Sequence, residues 1–168
     1  GFVYRDDNDN GRRDPGEQGL GGITMRLVPR DTLAPIAPIE TITAADGSYS
    51  FTTLPPGRYD IIQVTQPAGL DDGRDRPGTV DGRPVGKADE PGDAIRGVEL
   101  LGNSRGINYD FGELPRGIIT GGVYLAPPGE DCGGRDDGRS TPLEGVEVIL
   151  VGPGGVTIAR TTTDAAGQ

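Results

Sequence analysis

Histidine and tryptophan are absent from the 168 residues, and cysteine, methionine and lysine occur once each, as Cys132, Met25 and Lys87. Without histidine, Ser-His-Asp chemistry, imidazole acid–base catalysis and His-ligated metal catalysis are unavailable. Cys132 has no such base to activate it as a nucleophile, and one cysteine cannot build an intrachain disulfide framework. With no tryptophan, five tyrosines and three phenylalanines, little aromatic surface is left to stack a sugar ring, so a paired-carboxylate glycosidase is disfavoured. No enzyme activity is expected. No apolar run approaches the roughly 20 residues of a membrane helix, so no membrane insertion is expected within this segment. Helical periodicity is also missing, because Gly or Pro interrupts every i, i+3, i+4, i+7 series.

What the chain has in quantity is glycine (30), proline (15) and acid, for a net charge of −10 and a pI near 4.4. That charge repels nucleic acid and anionic membrane surfaces. Short β-branched and aromatic runs, such as Gly22–Val28 and Arg58–Thr65, recur between turn signals. Such a pattern marks an all-β domain. Strands are predicted near 2–5, 22–29, 36–44, 48–54, 57–65, 94–101 and 106–112. Asp46-Gly47 suits a tight hairpin, and Pro55-Pro56-Gly57 a fixed turn. Seven short strands in about 110 residues fit a two-sheet sandwich. Segment 67–92 is expected to be a long loop. If strand directions alternate, the turns after strands one, three and five share the end at which strand seven finishes.

The chain also resembles itself. Gly1-Phe-Val-Tyr4 matches Gly121-Gly-Val-Tyr124, Gly22–Leu27 matches Gly145–Leu150, and Thr41-Ile-Thr43 with Gly47 matches Thr161-Thr-Thr163 with Gly167. Two repeats are expected: a domain over 1–114 and, over 115–168, only the opening strands of a second. The parent protein is expected to continue past Gln168 with the remaining strands.

One motif carries specific chemistry. Residues 6–17, Asp-Asp-Asn-Asp-Asn-Gly-Arg-Arg-Asp-Pro-Gly-Glu, satisfy D-x-[DN]-x-[DN]-G-x5-E at every constrained position. Oxygens of Asp6, Asn8 and Asn10 at loop positions 1, 3 and 5 converge on one ion, and Gly11 permits the bend after them. Arg12 at position 7 offers its backbone carbonyl, Asp14 at position 9 binds directly or through water, and Glu17 closes the site with both oxygens. An all-oxygen set selects calcium over zinc. Strands, not helices, flank the loop, so the ion is expected to be structural.

Val3-Tyr4, this loop and Glu17–Ile23, together with Ala45–Tyr59 and Asn108–Glu113, resemble the B-type domains of serine–aspartate repeat surface adhesins. The resemblance implies a Greek-key β-sandwich related to collagen-adhesin B domains, used as a calcium-stiffened stalk in extracellular, cell-surface or secreted proteins. It implies adjacent repeats of the same chain as partners. Some related domains carry a Lys–Asn cross-link from the first strand; Lys87 lies elsewhere, so none is expected in repeat one. Repeat two carries Ala126-Pro-Pro-Gly-Glu-Asp-Cys132 and Asp136-Asp-Gly138 in place of the loop, and no equivalent site is expected there.

Two other groups of residues have a functional and a structural reading. Asp71, Asp72, Asp75, Asp81, Asp89, Glu90 and Asp93 can supply a second ion site, but a solvated acidic loop neutralised by Arg74, Arg76 and Arg83 is the expected account. Tyr4, Tyr49, Phe51, Tyr59, Tyr109 and Phe111 alternate along predicted strands, which points to packing. The expected function is a rigid calcium-binding spacer; the alternative is a module that recognises an extracellular protein or glycan through loop 67–92 or a sheet face.

Overall fold

Alternation shapes the longest strands. In Thr24–Thr32, Met25 and Leu27 turn inward while Arg26 and Arg30 stay partly or fully exposed; in Gly57–Gln63, Tyr59, Ile61 and Gln63 are all buried. The computed structural model describes residues 1–126 and 140–168. These fall into two units, Gly1–Arg116 and Gly117–Gln168.

The first unit runs β1 (Val3–Arg5), β2 (Thr24–Thr32), β3 (Ile39–Ile42), β4 (Gly57–Gln63), β5 (Leu70–Asp72), β6 (Thr79–Val80), β7 (Arg83–Pro84), β8 (Lys87–Ala88), β9 (Ala94–Leu100), β10 (Gly106–Ile107) and β11 (Phe111–Pro115). One sheet is five-stranded and antiparallel, in the order β3-β2-β4-β9-β8; another is β1-β11-β5, and β10-β6-β7 forms a small third. The fold is a β-sandwich. Its core joins Val3 and Phe111 to Met25, Leu27, Tyr59, Ile61, Ile95 and Val98. The Tyr49 hydroxyl donates to the Tyr109 carbonyl across this core, at 2.7 Å.

Strand β1 pairs with β11 in parallel, Val3 opposite Phe111 and Arg5 opposite Glu113. The loop that follows β1 therefore stands at the end where β11 finishes. A bulge re-aims β9: the register against β4 shifts between Tyr59 and Ile61, opposite Gly97 with its φ of +71°. The Gly97 N–H then donates to buried Asp60, 3.0 Å away, and Arg30 and Arg96 complete that carboxylate's shell.

Three expectations need correction. Residues 48–54 form no strand, only a bridge from Ser48 to Phe2. The free edge of β1 is already taken, because Val3 donates to the Gly47 carbonyl and accepts from Leu20, and Pro55 and Pro56 bring no donors. The predicted strand 106–112 breaks at Asn108, whose φ is +59°. Segment 67–92 is no plain loop, since it holds β5 to β8. There Asp81 and Gly82, both at positive φ, make the two-residue turn between β6 and β7.

The second unit contains β12 (Tyr124–Leu125), β13 (Thr141–Pro142), β14 (Glu147–Val151) and β15 (Thr157–Thr162), with a 3-10 turn at Pro153–Gly155. It repeats the first unit's local hydrogen bonds. The Thr43 hydroxyl donates to Leu20 O and accepts from Ile23 N, as the Thr163 hydroxyl does with Leu143 O and Val146 N. Val3 N donates to Gly47 O, and Val123 N to Gly167 O. Apart from Ala126, the segment expected to lack a calcium loop, Cys132 included, lies outside the described residues.

Candidate metal centre

The loop 6–17 is wound around one carboxylate. Asp6, at the end of β1, is 0% exposed, and its N–H donates to the Glu113 carbonyl on β11 at 2.8 Å. Its Oδ1 accepts the N–H groups of Asn8 and Asn10 at 3.3 and 3.2 Å, and its Oδ2 that of Gly11 at 2.7 Å. Asn8 Oδ1 in turn accepts from Asn10 N, and Asn10 Oδ1 from Arg12 N. Such side-chain-to-backbone turns are what Asp and Asn favour over regular structure. Asp9 and Gly11 sit at positive φ, and a Cβ on Gly11 would come within 3.2 Å of Arg74 Cβ.

The far half of the loop closes onto this frame. Asp14 Oδ2 accepts both amides, from Asn8 at 3.0 Å and Asn10 at 2.8 Å, and those two bonds hold its carboxyl below the usual range. Glu17 uses both oxygens, taking Asp7 N at 3.1 Å and Asp14 N at 2.7 Å. The intervening side chains are held elsewhere: Asp7 and Asp9 pair with Arg5 and Arg74, and Arg12, expected to offer only its carbonyl, is exposed. Thus Asp6, Asn8, Asn10, Asp14 and Glu17 come together in one hydrogen-bonded loop. Among the described residues, no three His, Cys, Asp or Glu side chains already stand in metal-holding geometry.

The donor set fits a hard cation. Every candidate ligand atom is an oxygen, three of the groups are carboxylates, and each amide oxygen keeps a second lone pair beside its backbone donor. A bound calcium would supply charge neutralisation and cross-links between the loop's two halves. Beneath the loop, the Tyr4 hydroxyl is fully buried with no hydrogen-bond partner. Burial first, then the charges of Asp6, Asp110 and Glu17, push it far above the ordinary tyrosine value.

A second acidic group lies beside the same end of β11. The chain from Gly73 to Arg76 runs along β11, with Gly73 N on Gly112 O and Arg76 bridged to Asp110. That path buries Asp75 to 6% exposure. Burial, then the charges of Asp72, Asp93, Glu113 and Glu90, push its carboxyl up to about 9. Burial raises Glu113 to about 7 against the opposing amides of Gln63 and Gln66, and burial with Asp72 raises Asp93 to about 6. The expected solvated loop is therefore wrong at Asp75. Arg74 pairs with Asp9 instead, and the strongest charges acting on Asp75 are acidic.

Sequence reasoning missed Gln63 and Glu113, although strand alternation could have found them: Gln63 continues the inward series Tyr59, Ile61, and Glu113 follows Phe111 by two.

Comparison with known proteins agrees with this architecture. The chain is 29% identical over 170 residues to serine-aspartate repeat-containing protein D of Staphylococcus aureus strain Newman, covering 99% of this chain and 12% of that protein. It is 26% identical over 167 residues to serine-aspartate repeat-containing protein C of strain N315, covering 99% of this chain and 16% of that protein. The chain thus spans a small part of these relatives' length. The model of the SdrD B-like domain matches residues 1–112, the stretch that carries the loop, the five-stranded sheet and the start of β11, and the chain belongs to the SdrD B-like domain family.

Proposed function

We propose that this chain is an extracellular calcium-binding structural repeat, a spacer or stalk segment of a cell-surface or secreted adhesin-like protein. The observation that carries the reading is the buried Asp6 carboxylate, enclosed by its own loop and joined through its N–H to the exit strand. Calcium is held by Asp6, Asn8, Asn10, the Arg12 carbonyl, Asp14 and Glu17. Adjacent repeats of the same chain are its immediate partners.

The terminal strands suit such a role. Because β1 and β11 lie side by side in parallel, tension applied at Gly1 and beyond Pro115 pulls them in opposite directions along their length. All their shared hydrogen bonds, from Phe111 N–Phe2 O to Asp6 N–Glu113 O, are loaded together and not one by one. The loop sits on the last of these bonds, so an ion there braces the strand pair under load. Single-molecule stretching of the chain tests this. Unfolding force should be higher in calcium than in chelator, and equal forces would remove the stiffening role.

A second reading, ligand capture, is favoured by a cleft of about 780 Å³ bordered by Phe2, Phe51, Leu54, Leu101 and Ile107. It predicts retention of the chain on a protein or glycan array that Leu101→Asp abolishes without lowering stability. A spacer predicts no retention.

A further inference from the structure

We propose that Asn10 is a site of covalent self-modification. When loop 6–17 opens, Asn10 deamidates through a cyclic imide formed with Gly11, and the closed loop suppresses the reaction. The nucleophile and the leaving group both belong to this chain, and the one co-reactant is water.

Asparagine is among the chemically labile residues, and it reacts fastest before glycine, where no side chain hinders attack by the next nitrogen. The chain has four asparagines, and only Asn10 precedes a glycine. Gly11 is also hard to replace: its φ is +67°, and a Cβ there would come within 3.2 Å of Arg74 Cβ. The bend that shapes the loop therefore imposes the labile dipeptide. Asn10 is exposed, so water reaches an imide formed there.

In the first step the Gly11 nitrogen gives its proton to a solvent base and attacks Asn10 Cγ. A Cγ–N bond forms, the Cγ–Nδ2 bond breaks, and ammonia leaves with a proton returned from solvent; nothing is oxidised or reduced. Water then opens the imide, at Cγ to give aspartate or at the main-chain carbonyl to give isoaspartate. Each reacting group is engaged in the closed loop. The Gly11 N–H donates to Asp6 Oδ2 at 2.7 Å, and the charge of Asp6 disfavours loss of that proton. Asn10 Oδ1 accepts from Arg12 N and its Nδ2 donates to Asp14 Oδ2, both at 2.8 Å. Attack turns the planar Cγ tetrahedral and so strains both bonds, and the departing nitrogen must break the one to Asp14. Opening the loop releases all three.

The product does not fit the frame that held the reaction back. A carboxylate at position 10 meets Asp14 Oδ2 where an amide donated, which replaces attraction by like-charge repulsion. Isoaspartate adds an atom to the main chain and displaces Gly11 N from Asp6. An opening of the loop is thereby recorded covalently. Protection by a bound ion rests on the calcium reading above; protection by the hydrogen bonds does not.

The test ages the 168-residue chain at mildly alkaline pH and maps it with trypsin, whose cuts after Arg5 and Arg12 free a peptide carrying Asn10. Mass spectrometry reads the conversion of amide to acid, and backbone fragmentation separates Asn10 from Asn8 and isoaspartate from aspartate. In chelator, Asn10 of the folded chain should convert about tenfold or more slowly than in the guanidinium-unfolded chain, because the rate follows the population of the open loop. Folded Asp6→Ala should convert several-fold faster than wild type. If that variant does not fold, Asp14→Ala, which frees Asn10 Nδ2, decides by the same map. Equal rates in folded and unfolded wild type overturn the proposal. So does a folded variant no faster than wild type, or an unfolded chain in which Asn10 reacts no faster than Asn8. Calcium should slow the wild type further. A rate equal in calcium and chelator, with the protection in chelator intact, counts against the ion and not against the hydrogen-bonded frame.

Discussion

Replacing Asp6 by alanine removes the centre around which loop 6–17 is wound, and the cost in the absence of calcium follows from the three bonds that it accepts. The Gly11 bond, at 2.7 Å, is short and charge-assisted, worth about 1.5–3 kcal/mol. The Asn8 and Asn10 bonds are longer, at 3.3 and 3.2 Å, and both residues reach water, so each contributes about 0.5–1 kcal/mol. The sum is about 2.5–5 kcal/mol, a drop of roughly 10–18 °C in a domain of this size. Asp6→Asn keeps the shape and one acceptor but faces the Gly11 N–H with an amide donor, so about half the loss should remain. Calorimetric melts of both variants in chelator measure this directly. An Asp6→Ala cost below about 1 kcal/mol would mean that the loop has no ion-free frame, and the argument that it is pre-organised would fail.

Asp60→Asn should destabilise by about 2–3 kcal/mol at neutral pH, since it breaks charge-assisted bonds to Gly97 N, Arg30 and Arg96. Burial alone would raise the Asp60 carboxyl, but those partners hold it below the ordinary value. Its stabilisation is thus complete above the unfolded value near 4 and is lost as pH falls through the folded one; urea melts of the two proteins should converge in acid. Gly97→Ala puts a Cβ on the φ +71° bulge residue and should cost about 1–2 kcal/mol by denaturant melt. Tyr49→Phe removes the bond to the Tyr109 carbonyl and should cost about 1–2 kcal/mol in the same assay.

Local signals explain which parts of this structure were legible beforehand. The 6–17 motif is a spacing rule within twelve consecutive residues, and the central strands β2, β4 and β9 carry their alternation within a few positions. The likeness of Thr41–Thr43 to Thr161–Thr163 was equally local, and the Thr43 and Thr163 hydroxyls make the same hydrogen bonds. Residues 48–54 misled because Tyr49 and Phe51 alternate as a strand does, while only the tertiary structure shows the β1 edge already occupied by Leu20 and Gly47. In segment 67–92 the Asp81-Gly82 pair announced a hairpin as clearly as Asp46-Gly47 did, but the density of Gly, Pro and charge around it masked the two-residue strands. Asp75 had no local signal at all. Its burial comes from the pairing of residues 73–76 with β11, some 35 positions along the chain.

The central claim is that loop 6–17 is a calcium site and that its ion stabilises the domain. Calorimetric melting of the 168-residue chain with calcium and with chelator, for wild type and Glu17→Ala, tests it most directly. Calcium at about a hundred times its dissociation constant should add about 2.7 kcal/mol per site, or roughly 10 °C. Glu17→Ala should lose most of that gain, because Glu17 closes the loop with both oxygens. A calcium-induced gain of the same size in wild type and Glu17→Ala, or none in wild type, would contradict the account.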